Sequence, residues 1–242
     1  MLASFVFMFL PFLAQSYVLE IDNSNSLMIS VDPEPVLVEL YYESLCPGCR
    51  QFIMGMLSPT WDLMKDTGTM QVAVYPYGNA DQTQNPDGSW VISCQHGDKE
   101  CLGNKLEVCL MRRLDWDSRA YMAAIACMEQ SDPIKQARSC IEKHTTLNFE
   151  DIWKCAKVLL LDCENTNDCD HLICSKGAEG NKLEHAMGVK TEALDPAHDY
   201  VPWVVINGEH TNQLETEAMR DLRGLVCRLY TGERPSECDA TS

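Results

Sequence analysis

The sequence predicts an α/β fold in two parts, a βαβ unit and a ββα unit, separated by a mostly helical, disulfide-bearing insertion. Three observations carry this reading. Val36 to Tyr42 is a short apolar run that leads directly into Cys46-Pro47-Gly48-Cys49. A second strand-like run, Met70 to Tyr77, follows a single helical stripe. Tyr200 to Ile206 returns to strand character ahead of a last amphipathic stretch.

The elements follow in order. After Cys49, the residues Phe52, Ile53, Met56 and Leu57 recur at helical spacing, and Pro59 is expected to kink or end that helix. Strand, helix and strand at this spacing make a crossover unit with parallel strands. Asn79 to Gly88, rich in Asn, Asp and Gln, reads as a loop. From Asn104 the pattern is helical, with Leu106, Cys109, Leu110 and Leu114 on one face. Tyr121, Met122, Ile125 and Met128 make a second stripe after an Asp115 to Ser118 turn. Asp132-Pro133 is an N-cap and first-turn pair for a third helix, and a fourth starts near Asn148. Asn207-Gly208 reads as a tight hairpin turn, and Ala218, Leu222, Leu225, Val226 and Leu229 form the last helix, which Gly232 terminates. That order, opened by a C-x-x-C, is the thioredoxin-like architecture.

Composition bounds the setting. Leu2 to Leu13 is an apolar run too short to span a bilayer, and Ala14-Gln15-Ser16 offers small residues for cleavage after Ser16. Residues 1–16 therefore read as a signal peptide, 17–35 as a polar linker ending in two prolines, and 36–238 as the folded domain, with the helical insertion at 90–195. No later segment has the length of a membrane span, so no stable membrane insertion is expected. The 13 cysteines of this 242-residue chain suit an oxidising, secretory route. Setting aside Cys46 and Cys49 leaves an odd number, so at least one more is free or pairs with another chain. A formal charge of −17 argues against nucleic acid as a partner. It suits an acidic compartment, where carboxylates protonate, and equally suits plain solubility.

Cys46 and Cys49 are the candidate catalytic residues. Cys46 falls at a helix N-cap and Pro47 at the first helical position, where a missing N–H costs nothing. Free N–H groups and the helix dipole favour a thiolate there, and a second thiol one turn on completes the equipment for thiol–disulfide exchange. Half of a zinc site and a structural disulfide are the competing readings of C-x-x-C. No second C-x-x-C is present, and Cys163, Cys169, His171 and Cys174 match no structural zinc spacing, so neither metal nor other cofactor is expected. Val201 and Pro202 are candidate substrate-binding residues. In thioredoxin-like folds a cis-proline opens the strand facing the thiols, where an exposed backbone edge can pair with an extended segment; an ordinary trans proline at a strand start is the plain alternative.

Residues 94–109 read Cys-Gln-His-Gly-Asp-Lys-Glu-Cys-Leu-Gly-Asn-Lys-Leu-Glu-Val-Cys. This resembles the C-Q-H-G-x2-E-C-x2-N-x4-C signature of the gamma-interferon-inducible lysosomal thiol reductase family. The similarity extends through Cys127-Met128-Glu129, Tyr200-Val201-Pro202-Trp203 and Leu225-Val226-Cys227 to Cys238. The resemblance implies a thioredoxin-like thiol reductase that acts on disulfide-bonded proteins in endosomes and lysosomes and is reset by an external thiol reductant. An oxidase or isomerase, and a secreted binding protein without activity, are the alternatives on the same fold.

Cys94 and Cys101 are close enough in sequence to close a small loop, and Cys227 and Cys238 bracket the end of the last helix. Cys109 needs a more distant partner. Cys127 and Cys140 complete the structural disulfide candidates, with connectivity open. His96 is expected to be a hydrogen-bonded loop residue in preference to a base. Two departures from the family pattern stand out. No Asn-x-Ser/Thr sequon is present, which closes the glycan address to the lysosome and makes secretion, or glycan-independent delivery, an alternative. Cys155 and Cys174 sit in two similar contexts, so 155–174 reads as an inserted segment.

Overall fold

The computed structural model describes residues 17–21, 27–31, 33–157 and 178–239. The expected signal peptide and Cys163, Cys169, His171 and Cys174 lie outside the described residues.

A three-stranded sheet forms the base of the active region, in the order β4 (Met70–Pro76), β3 (Val36–Tyr42), β7 (Trp203–Ile206). β3 is central. It pairs in parallel with β4, Leu40 opposite Val74, and antiparallel with β7, Leu40 opposite Val204. Val36, Val38, Leu40 and Tyr42 alternate onto one face of β3 and are all buried, while Leu37 and Glu39 on the other face are half-buried. Parallel pairing of β3 and β4 needs a crossover, and helices α1 (Pro47–Phe52) and α2 (Ser58–Met64) supply it. They are joined by a π-helical segment, Ile53–Leu57, with Leu57 and Ile53 buried. Pro59 was expected to kink or end the first part of this helix. The irregularity lies in the turn before it, where its missing N–H and its ring disturb the pairing with Gly55, and the π-helical segment runs directly into α2.

The insertion between the two halves begins with β5 (Asp81–Gln84) and β6 (Trp90–Ser93), an antiparallel pair. Helices α3 (Asp98–Arg113), α4 (Ser118–Glu129), α5 (Pro133–His144), α6 (Phe149–Ala156) and α7 (Ala178–Glu192) follow. α3 is the hub, with Leu106, Val108, Leu110 and Met111 fully buried. The Asp132 carboxylate caps α5 by accepting from Ile134 and Lys135 N–H, and Asn148 caps α6 through Glu150 N–H. α8 (Asn212–Leu229), kinked at Asp221, closes the chain against the π-helical segment and β7.

Several expectations are corrected. The 17–35 linker contains two paired strands, β1 (Tyr17–Ile21) and β2 (Leu27–Val31), in register from Tyr17 opposite Val31. Its average polarity concealed two short runs rich in Val, Ile and Leu. The Asn79–Gly88 loop contains β5, a strand of four polar residues whose pairing with β6 leaves no apolar alternation to detect. α3 starts at Asp98, six residues before the expected Asn104, because acidic Asp98 and Glu100 favour the first turn of a helix. The strand read from Tyr200 starts at Trp203. The closing ββα is a βα: beyond the Asn207-Gly208 turn only Glu209 bridges back to Ile206.

Among the described residues, four disulfides tie the insertion and the C-terminus: Cys94–Cys101, Cys109–Cys155, Cys127–Cys140 and Cys227–Cys238. Cys155, the distant partner of Cys109, was not among the structural candidates. Among the described residues, no helix is long and apolar enough to cross a membrane.

Candidate active site

β3 ends at Tyr42 and delivers a short turn, Glu43 to Leu45, to the start of α1. Cys46 N–H donates to the Glu43 carbonyl at 3.2 Å, which fixes that turn. Cys46 is the N-cap residue of α1, and Pro47 occupies the first turn. The Cys46 sulfur accepts the Cys49 N–H at 3.4 Å, taking the place of a capping Ser or Asp oxygen. Both thiols are free; Cys46 retains 9% exposure and Cys49 none.

The two sulfurs are electrostatically unequal. The Cys46 thiol is lowered to about 6, chiefly by the hydrogen bond from the Cys49 thiol. Burial opposes the shift, while the Cys49 and Gly48 N–H groups and the His96 charge add to it. Burial pushes the Cys49 thiol far above its usual range, and donating to Cys46 raises it further. The Cys46 sulfur thus favours the thiolate, and Cys49 holds its proton.

The segment facing them, which leads into β7, carries a cis Val201–Pro202 bond. The Cys46 sulfur lies 3.9 Å from the Val201 carbonyl oxygen, and a Cβ built on Gly48 would sit 3.4 Å from Pro202 Cδ. Cys46, Cys49, Val201 and Pro202, far apart in sequence, thus meet at one point. Beside them runs a groove of about 380 Å³, walled by Phe52, Met56, Met219, Tyr200 and Pro202. The Tyr200 hydroxyl donates to Glu215 at 2.6 Å, and Val204 N–H donates to the same carboxylate at 3.1 Å, so the polar edge of the groove is internally satisfied. Gly55 opens the groove, since a Cβ there would meet nothing within 4 Å.

Sequence reasoning missed the groove, because its walls come from α1, the π-helical segment, α8 and the stretch before β7. It also missed the carboxyls around the thiols. Glu43, Glu100, Glu107 and Glu129 are all buried. The Tyr42 hydroxyl donates to Glu107 at 2.5 Å, while burial raises both Glu107 and Glu129, which face each other. Arg50, directly after Cys49, donates to the Glu129 carbonyl at 3.0 Å. For Glu107 and Glu129 the signal was an acidic residue beside an apolar stripe, next to Leu106 and Met128; Glu43 and Glu100 carried none.

Two groups of ligand-type side chains converge among the described residues. Cys94, Cys101 and Glu184 are one, but its sulfurs are joined in a disulfide. The other is Glu43, His96 and Glu100, where the His96 ring and Glu100 already share a hydrogen bond of 2.5 Å. Ser44 ties this group to the active-site turn: its N–H donates to Asn104 Oδ1 at 3.0 Å and its hydroxyl to the Glu100 carbonyl at 3.2 Å. Gly103 permits the approach, since a Cβ there would fall 2.3 Å from Ser44 Oγ.

A family model described as gamma interferon inducible lysosomal thiol reductase matches residues 37–144. The chain is 41% identical over 206 residues to the gamma-interferon-inducible lysosomal thiol reductase of Carassius auratus, covering 84% of this chain and 72% of that protein. With the Mus musculus protein of the same name the identity is 35%, over 85% of this chain and 73% of that one. Among solved structures, reduced DsbG, a disulfide bond oxidoreductase of Mycobacterium tuberculosis, aligns over 84% of this chain and 82% of its own, at 15% identity and a TM-score of 0.48. The chain belongs to the gamma-interferon-inducible lysosomal thiol reductase family, whose members are thiol–disulfide oxidoreductases.

Proposed function

We propose that this protein reduces disulfide bonds of protein substrates in an acidic compartment, with Cys46 as nucleophile and Cys49 as resolving thiol. The observation that carries this reading is the asymmetry of the pair: a capped, partly accessible sulfur held at about 6 beside a fully buried thiol that keeps its proton.

The Cys46 thiolate attacks one sulfur of the substrate disulfide. A Cys46–substrate disulfide forms, and the other substrate sulfur leaves as a thiolate that takes a proton from solvent. Cys49 then loses its proton and attacks the Cys46 sulfur. The second substrate sulfur departs and is protonated, leaving the substrate reduced by two electrons and Cys46–Cys49 oxidised. An external thiol reductant returns the two electrons. β7 is an edge strand of its sheet, and an extended substrate segment pairs with the backbone at Val201, with its apolar side chains in the groove beside Pro202.

The lowered thiol decides whether this works in acid. At about pH 5 an ordinary cysteine, near 8.5, is thiolate in roughly one molecule in three thousand, whereas one near 6 is thiolate in about one in ten. Nucleophilicity falls with pKa, by about 13-fold over that interval, so the net gain is roughly twentyfold. The proposed destination is the secretory route to lysosomes, matching the printed names of the relatives, with residues 1–16 as its leader and 36–238 as the reductase domain.

The test is reduction of a protein disulfide at about pH 5 with a thiol reductant, comparing the native chain with Cys46→Ser. Loss of essentially all catalysed turnover in the variant is expected. Full activity in Cys46→Ser would refute the assignment.

A further inference from the structure

The 94–109 signature contributes more than its disulfide. Its His96 and Glu100 pack against Glu43, the residue that starts the turn into Cys46. Glu43 is fully buried. Its Oε1 accepts the Asn79 N–H at 2.8 Å; its Oε2 has no hydrogen bond among the described residues and lies 3.3 Å from His96 Nδ1. That same nitrogen is 2.5 Å from Glu100 Oε2, and His96 N–H donates to Glu100 Oε1 at 3.0 Å. One imidazole is therefore shared unequally between two buried carboxyls, one closely bonded and one held off.

We propose that Glu43, His96 and Glu100 form a positioning cluster that sets the charge beside Cys46 according to the protonation state of Glu43. With Glu43 protonated, it adds no charge beside Cys46, and the His96 charge favours the thiolate. When Glu43 ionises, the cluster gains a negative charge that opposes the thiolate. Acid thus removes the charge that would otherwise suppress the nucleophile, which matches the site to an acidic compartment. This inference rests on Cys46 being the nucleophile.

The electrostatics run in the required directions. Burial raises Glu43 to about 7, with Glu100 and Cys46 adding to the shift. His96 is raised by its hydrogen bond to Glu100 and by the charges of Glu100, Glu43 and Cys46, against burial. Of the other titratable groups, Cys49 on α1 feels Glu43, and Glu129 on α4 feels Cys46 and is countered by Arg50. Behind Glu100, Glu184 on α7 is paired with Lys105 on α3 at 3.9 Å.

The experiment follows the rate of Cys46 alkylation by iodoacetamide against pH in the reduced full chain, with peptide mass mapping of the modified cysteine. In the native chain, coupling to Glu43 spreads the rise in rate over a wider pH range than one ionisation allows. Glu43→Gln should give a single, sharper rise whose midpoint lies at lower pH than that of the native chain. His96→Gln should move the rate the other way, about tenfold lower near pH 5. Opposite shifts separate a charge effect from mere loss of packing, which would move both variants alike. A single-ionisation profile in the native chain, or shifts of equal sign in the two variants, would overturn the cluster while leaving Cys46 as nucleophile. Alkylation mapped away from Cys46 would overturn the nucleophile as well.

Discussion

Raising the pH should destabilise this fold, and Glu184 shows by how much. Its side chain is fully buried between α3 and α7, where burial raises it from 4.5 to about 8 despite the opposing charge of Lys105. A carboxyl raised in the folded state keeps its proton there while the unfolded chain releases one. The stability it contributes is therefore complete below about pH 4.5 and is lost as the pH climbs through 8. Between about pH 5 and pH 7.5 the loss from this one group is about 3 kcal/mol. Glu43, raised to about 7, adds about 2 kcal/mol over the same interval. The Glu107–Glu129 pair acts in the same direction. Cys46, lowered to about 6, opposes the trend by about 2 kcal/mol in the reduced chain; Asp132, Glu179 and Glu217 are also shifted downward, but they are solvent-screened surface groups. Against a typical total of about 5–15 kcal/mol, the net loss is large. Urea unfolding at both pH values checks it, with Glu184→Gln beside the native chain. The native chain should unfold at markedly lower urea near pH 7.5, and the Gln variant should lose about 3 kcal/mol less across the interval. Equal pH slopes for the two proteins, or a native midpoint that rises with pH, would refute the reasoning.

Two other outcomes follow from the geometry. Removing the Cys109–Cys155 bridge by a Cys109→Ala, Cys155→Ala double substitution frees a loop with a sequence separation of 46 and should cost about 4 kcal/mol, read as a fall in the urea midpoint. Gly55→Leu should fill the groove beside Pro202 without a clash, lowering kcat/KM for an unfolded protein substrate by about tenfold while turnover of a small disulfide such as cystamine is unchanged; equal effects on both substrates would contradict a substrate groove.

The parts of the fold that local chemistry dictates were legible in the sequence. Val36 to Tyr42 reads as a strand from its apolar run, and the Cys46-Pro47 start of α1 follows from capping rules. Asp132-Pro133 and Asn148 opened helices where their side chains accept from the first turn. What escaped was set by tertiary pairing. β5 is polar, so only its partner β6 makes it a strand. Cys155 looked like a second copy of a family position until α6 brought it against α3. The site was legible in its thiols because two cysteines at fixed spacing carry their chemistry with them. Glu43 and Glu100 were not, because a buried carboxyl reads as surface until the fold covers it. His96, read as a hydrogen-bonded loop residue, does bond Glu100, but its proximity to Glu43 depends on the β3–α1 turn meeting the start of α3.

The division of labour between the two thiols is most directly tested by trapping. Cys49→Ser, incubated with a disulfide-bonded protein at about pH 5, leaves Cys46 able to attack and nothing inside the enzyme to release the product. Mass spectrometry of the non-reduced mixture should show a stable mixed disulfide on Cys46, absent from Cys46→Ser. An adduct on another cysteine, or turnover by Cys49→Ser equal to that of the native chain, would contradict the assignment.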